Sequence, residues 1–373
     1  MGSASTLAQA YRRFAEADRS DASPLYRRIA LALSESDQAL RAIEAVPARK
    51  RNPAVILAAL HDLALAGRAP ALAAAYASAA DGGDGGDGAA GDDADAAAGD
   101  DAARAAIDTL LRMTDAIADI AVRRPVRADE TGRYAVLYPA IAEAAARAGA
   151  RVVGLIDIGR SAALNLNVDR VGITYSDGPS LGDPSSPVQR SSRIAQDRPV
   201  PARAMPEVVA RIGVDLDPVD VTGADDARWL RACLPPDQPE RRARLDAEMA
   251  LAATAPPLLL RGDAAELLPD AVARVPADVL PVITTTWALS RFSFETRQRF
   301  LRRLEEAAAG RAVAWVSAEG VGVAPTVPTL GDRPASGHSI IGLALFGRWA
   351  QPAEAIARCW SRGNVLTWLA AAT

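Results

Sequence analysis

The run Arg151-Val-Val-Gly-Leu-Ile-Asp-Ile-Gly159 constrains the fold more than any other stretch of the chain. Val152 to Ile158 read as a buried apolar strand that ends in an acid and a glycine, and a helix is expected from near Ser161. Such a strand, tight turn and helix form one unit of a doubly wound α/β protein. There a ligand sits in the crevice at the carboxyl ends of the strands, where a small residue and helix N–H groups let it approach. Asp157 and Gly159 therefore mark the leading candidate site. The competing reading is that they simply terminate a core strand.

The pattern repeats downstream. Arg211-Ile-Gly-Val-Asp-Leu-Asp-Pro218 reads as a strand ending in acids, with a proline stop. Pro257 to Ala264 is a short strand with a Gly-Asp turn, Leu280 to Trp287 an apolar strand ending in polar groups, and Ala312 to Ser317 a fifth strand. Helices are expected at Tyr134 to Arg147, Asp225 to Ala232, Glu240 to Ala252 and Phe294 to Ala309. Alternation of this kind implies a parallel sheet with right-handed crossovers. The tail differs: His338 to Gly347 and Ala355 to Leu369 read as two strands around a turn, which adds an antiparallel hairpin. The polar segment from Asp177 to Arg203 reads as loop, with a short hairpin near Ile173 to Tyr175.

Ahead of this region the chain is helical. Ser23-Pro24 and Asn52-Pro53 are both helix starts, a capping side chain followed by a proline that has no N–H to satisfy. His61 lies inside the second of these helices and is expected to be packed. Ile107, Leu110, Leu111, Ile117 and Ile120 resume helical spacing, which stops at Pro125. Between them, Asp81 to Asp101 is almost entirely Gly, Asp and Ala and reads as a flexible acidic insert, disordered because it has so little apolar surface to bury. The expected organisation is a helical region over 1–125 and an α/β domain over 126–373.

Charge and cysteine content exclude several classes. The formal net charge is −4, but eight aspartates of 81–101 dominate it, and no clustered basic face of the kind that nucleic acid requires is visible. Cys233 and Cys359 are too far apart for a metal spacing or a disulfide framework. No run approaches the ~18 apolar residues of a membrane span. The expectation is a cytoplasmic protein that takes a small-molecule substrate, with neither nucleic acid nor membrane as partner and no metal.

Acids close three successive strand–turn units: Asp157, then Asp215 with Asp217, then Asp263. A carboxylate accepts both hydroxyls of a ribose well, and another can accept an amine, so a nucleoside cofactor suits this series. Each acid taken singly is equally a strand stop or a helix cap. Two histidines give a triad or metal cluster little material, and the line Gly159-Arg-Ser-Ala-Ala-Leu does not fit the G-x-G-x-x-G of a nicotinamide site. Glu130 and Arg133 read on spacing alone as a first-turn pair of surface charges, but their place just before the helix that feeds the first strand keeps them among the candidates.

Several segments together resemble the bacterial family Domain of Unknown Function 2332: Ser23-Pro-Leu-Tyr26, Glu130 with Arg133 and Pro139, Ser161-Ala-x-Leu-Asn165, Gly213-x-Asp-Leu-x-Pro218, Asp225 to Leu230, Arg261-Gly-Asp-Ala264, the strand ending in Trp287, and Trp315 to Gly320. The layout in turn resembles a class I S-adenosylmethionine-dependent methyltransferase, which implies a Rossmann-like doubly wound sheet. On that resemblance Asp157, Gly159, Ser161 and Asn165 border the methionine end of S-adenosylmethionine. Asp215 or Asp217 holds the ribose, Gly262, Asp263 and Ala264 meet the adenine, and Thr286 and Trp287 line the reacting side, where Glu130 takes up a proton and Arg133 binds a carboxylate. The sequence departs from that pattern at Arg160, where a small residue is preferred, at Ala163, where glycine is usual, and at Ser361-Arg362-Gly363, where a His-Gly pair is expected. These departures define the alternative, a cofactor-binding or interaction protein of the same fold without turnover.

Overall fold

A computed structural model describes residues 2–17, 23–81, 89–127, 133–159, 162–176, 178–195 and 198–370. They fall into two compact units, one formed by Met1–Ala128 with Gly223–Asp246, the other by Asp129–Thr222 with Ala247–Thr373.

The first unit begins with helices α1 (Gly2–Glu16), α2 (Pro24–Glu35), α3 (Asp37–Glu44), α4 (Pro53–Leu65), α5 (Pro70–Asp81), α6 (Ala89–Arg112) and α7 (Thr114–Arg123). Both start signals act as caps: Ser23 Oγ accepts from the Tyr26 N–H at 2.9 Å, and Asn52 Oδ1 from the Ala54 N–H at 2.9 Å. Ile29, Leu33, Ile43, Ile56, Leu57, Leu60, Leu72, Leu110 and Ile117 are fully buried in one core. The acidic insert is shorter than the sequence suggests, because α6 already begins at Ala89. Alanine has the highest helix propensity, and small residues such as Ala102, Ala103 and Ala106 are enough to pack this helix. Residues 82–88 lie outside the described residues.

In the second unit α8 (Tyr134–Arg147) leads into β1 (Val152–Ile158), followed by β2 (Gly172–Tyr175), β3 (Ser180–Gly182), β4 (Gln189–Ile194) and β5 (Glu207–Asp215). The chain then forms α9 (Ala224–Ala232), within the first unit, and α10 (Pro239–Ala253). It continues through β6 (Leu258–Arg261), α11 (Ala264–Ala273), β7 (Leu280–Thr286), α12 (Phe294–Ala307), β8 (Val313–Gly320), β9 (Ser339–Phe346), β10 (Gln351–Trp360) and β11 (Val365–Trp368). The strands make one mixed, mostly parallel sheet in the order β3-β2-β4-β11-β10-β9-β8-β7-β1-β5-β6. Within it β6, β5, β1, β7 and β8 run parallel, and β8, β9, β10 and β11 follow as antiparallel neighbours.

Alternate side chains feed two cores on opposite faces. Val153, Leu155, Val282 and Val316 pack with Leu137 and Ile141 of α8. Ile156, Ile158, Ile283 and Trp315 pack with Leu268 and Val272 of α11 and Phe300 and Leu304 of α12. Helices therefore cover both faces, as a parallel sheet requires.

Three further expectations need correction. The helix expected from Ser161 is, over its described part, a 3-10 run Leu164–Arg170 entered through Ala163 at φ +49°. Ser161 and Arg160 themselves lie outside the described residues. The segment read as loop after Asp177 contains β3 and β4, so the hairpin near 173–175 extends to a three-strand edge. In the tail, the second strand starts at Gln351, not at Ala355, and a 3-10 turn at Ser361–Gly363 splits it into β10 and β11. Ser361 there has φ +45°.

Candidate functional site

At the carboxyl end of β1 the neighbours are β5 on one side and β7 on the other, so β1 marks the point where the strand order reverses. Asp157 is fully buried at this end. Its Oδ1 accepts from Thr284 Oγ1 at 2.8 Å and its Oδ2 from Asn165 Nδ2 at 3.1 Å. Asn165 Nδ2 also donates to Thr286 Oγ1 at 3.1 Å. Arg133, only 3 % exposed, reaches the same threonine through NH1, at 3.1 Å to Oγ1 and 3.2 Å to the carbonyl oxygen. Its guanidinium carbon stands 4.6 Å from the centroid of the Trp287 ring, a cation–π contact. Asp157, Asn165, Thr286, Arg133 and Trp287, read separately from the sequence, thus form one connected group.

The turn after β7 is tied down at several points. Trp287 has φ +51°, an uncommon conformation for a residue with a side chain, and donates its N–H to Ala318 O at 2.9 Å and its indole Nε1–H to Ser339 Oγ at 2.8 Å. Arg291 donates to the Gly159 carbonyl. Gly159 has φ +70°, and a Cβ there would meet Ala288 Cβ at 2.9 Å, so glycine is needed both for the backbone and for the close approach of the two turns.

The other acids behave differently. Asp215 is 8 % exposed and accepts the Asp217 N–H at 2.8 Å, while Asp217 pairs with Arg261 at 2.7 Å. Asp263 is the N-cap of α11: Oδ1 accepts from Ala265 N at 2.8 Å and Glu266 N at 3.3 Å, and Oδ2 pairs with Arg299 at 3.3 Å. Gly262, at φ +155°, and Ala264 flank that cap. Glu130 lies outside the described residues.

Sequence reasoning missed Glu319. It lies next to last in β8, is 1 % exposed, and through Oε1 accepts the N–H groups of Ala288 and Leu289, each at 3.0 Å. Burial pushes its carboxyl up to about 7, against the opposing pull of those amides, the Ser290 amide and the Arg133 cation. An acid at the end of a buried strand was the signal used for Asp157, and it applies equally to Ala318-Glu319-Gly320.

The family described as "Uncharacterized protein conserved in bacteria" (DUF2332) matches residues 8–368. The chain belongs to that family. No curated protein and no solved structure matches it. In this DUF2332 member, no group of three or more His, Cys, Asp or Glu side chains among the described residues could hold a metal ion. Cys233 and Cys359 are not joined in a disulfide, and burial pushes the Cys359 thiol up to about 12. No single described helix is long and apolar enough to cross a membrane. His338, 8 % exposed, donates through Nε2 to Asp332 Oδ2 at 2.9 Å, which also receives Arg358, so its ring is engaged in a largely buried cluster of the antiparallel tail.

Proposed function

We propose that this DUF2332 chain is a Rossmann-like, S-adenosylmethionine-dependent methyltransferase acting on a small molecule. The observation that carries the reading is the parallel order β6-β5-β1-β7-β8 with the Asp157–Asn165–Thr286–Arg133 group at its reversal point. In open α/β sheets that crevice is where ligands bind. The turn at Gly159, the Asp157–Asn165 pair and Ser161 border the methionine end, and Asp215 takes the ribose hydroxyls. Gly262, Asp263 and Ala264 border the adenine. Arg133, Trp287 and Thr286 face the reacting side, and the proton acceptor expected there is Glu130. Rate enhancement comes chiefly from holding a nucleophile in line with the sulfonium methyl group, an effect of proximity and alignment.

A second reading has its own support. Asp263 is engaged by its own helix and by Arg299, and Asp217 by Arg261, so two acids assigned to the nucleoside already have partners. That favours a binding or interaction protein without turnover. Calorimetric titration with S-adenosylmethionine and, separately, S-adenosylhomocysteine tests both. Saturable binding is expected, weakened about tenfold or more in Asp215→Ala, as for loss of a charge-assisted hydrogen bond. Binding without methyl transfer across an acceptor screen supports the second reading. No binding of either compound by the folded protein would sink the first.

A further inference from the structure

The position of Glu319 has a use beyond ending β8. Its Oε1 holds two successive backbone N–H groups, those of Ala288 and Leu289, and these immediately follow Trp287. Its Oε2 is buried with no hydrogen-bond partner among the described residues. Trp287 is held at φ +51°, a conformation that persists only where the surroundings over-determine it. The restraints are the bond from its N–H to Ala318, the bond from its indole to Ser339, the stacked Arg133, and the Glu319 clamp on the next two residues. The same turn reaches across to the end of β1 through Arg291 and Gly159. Glu319 therefore acts on the site from behind, through the turn.

We propose that Glu319 is the positioning residue of the strand-end site: as a carboxylate it clamps the Ala288–Leu289 turn that sets Trp287 beside Arg133, and proton uptake loosens the clamp. A carboxylate accepts backbone N–H groups more strongly than a carboxylic acid does. Burial raises Glu319 to about 7, so both forms are populated near neutrality. The charged and titratable groups that face this turn are few among the described residues. Arg133 comes from the start of α8, Arg291 from the turn itself, and Arg297 from α12, where its Nε donates to Leu289 O at 2.7 Å. Cys359 of β10 lies in the field of Arg133, and its raised thiol stays neutral. His338, next in the chain to the Ser339 that accepts the Trp287 indole, is engaged by Asp332, so loss of the transition in Glu319→Gln is what assigns it to Glu319.

The proposal rests on the cofactor reading only for its binding arm. The first arm needs no ligand: the indole N–H signal of Trp287, assigned in 15N-labelled protein by its loss in Trp287→Phe, is followed from about pH 5.5 to about pH 8.5 around the Glu319 value of about 7. It is expected to move with a midpoint near that value and to be stationary in Glu319→Gln, whose amide oxygen keeps an acceptor in place. In the second arm, S-adenosylhomocysteine affinity is expected to fall about tenfold in Glu319→Ala, to be largely restored in Glu319→Gln, and to lose its pH dependence there, as for loss of hydrogen bonds to a charged group. A signal that titrates unchanged in Glu319→Gln, or never moves in the wild type, overturns the proposal. If the signal titrates through Glu319 while the wild type binds no S-adenosylhomocysteine, the clamp stands and the cofactor reading fails alone.

Discussion

Arg190→Leu is expected to destabilise the second unit by about 3–5 kcal/mol, the usual cost of removing one partner from a buried ion pair. Its guanidinium pairs with Glu248, which is 1 % exposed, and Glu248 Oε2 also receives the Tyr134 hydroxyl at 3.3 Å. The variant leaves a buried carboxylate without that cation. Burial and Glu248 push the Tyr134 hydroxyl well above its ordinary value, so it remains a donor and cannot supply charge in exchange. The effect should reach the site, because the single hydrogen of that hydroxyl is shared between Glu248 and Leu164 O, the latter at 3.1 Å and one residue before Asn165. Denaturant titration reads the loss, and adding Glu248→Leu should recover most of it, since an apolar pair of similar volume is often neutral. A loss under about 1 kcal/mol would mean that the pair is more hydrated than its burial indicates.

The second large effect is a pH dependence carried by the first unit. His61 is 5 % exposed, its Nδ1 lies 2.9 Å from Leu234 O, and its ring meets Tyr76 edge-on at 5.6 Å. The carbonyl requires that nitrogen to carry the hydrogen. Burial lowers the imidazole from its ordinary 6.5 to about 4. Between those values the unfolded chain binds more protons than the folded one, so stability rises with pH. The contribution is complete above about 6.5 and is lost as pH falls through about 4, a total of about 3 kcal/mol. His61→Phe should remove this slope, with about 2 kcal/mol of the difference appearing between pH 7 and pH 5. Equal slopes in variant and wild type would show that His61 takes up its proton as readily folded as unfolded. Glu319 contributes with the opposite sign in the second unit: an acid raised from 4.5 to about 7 stabilises most below 4.5 and loses that contribution as pH rises through 7.

Much of this architecture was legible because local chemistry and tertiary context agree. The caps at Ser23 and Asn52, the bounds of α8, and the strands β1 and β7 follow directly from side-chain type and period. The start of α6 was hidden because its Gly-, Asp- and Ala-rich sequence has no large apolar residue to mark a face, while helices can form on alanine alone and bury it against larger neighbours. The run after Gly159 failed for a different reason. Ala163 enters it with a left-handed backbone, which neither its identity nor any capping residue announces. In the site, acids at strand ends were visible, but how their partners reach them was not: Asn165 returns to Asp157 through the left-handed turn at Ala163, and Thr284 comes from a strand distant in sequence. Asp263 shows the converse. With Glu266 three residues on, it has the spacing of a helix-capping pair, and the structure gives it that cap.

The return of Gly223–Asp246 to the helical unit bears on how the protein is made. That segment supplies Trp229, 1 % exposed, whose indole donates to Pro125 O at 2.9 Å, and Asp237, which receives Ser23 Oγ at 2.6 Å. A domain normally folds as it leaves the ribosome, amino-terminal parts first. Here the first 128 residues emerge without the tryptophan that completes their core, and must wait while β1 to β5 are synthesised. Neither unit can be released by a single cleavage. Excising one intact takes two cuts and a join, and a truncation at residue 128 would expose the surface that Trp229 covers.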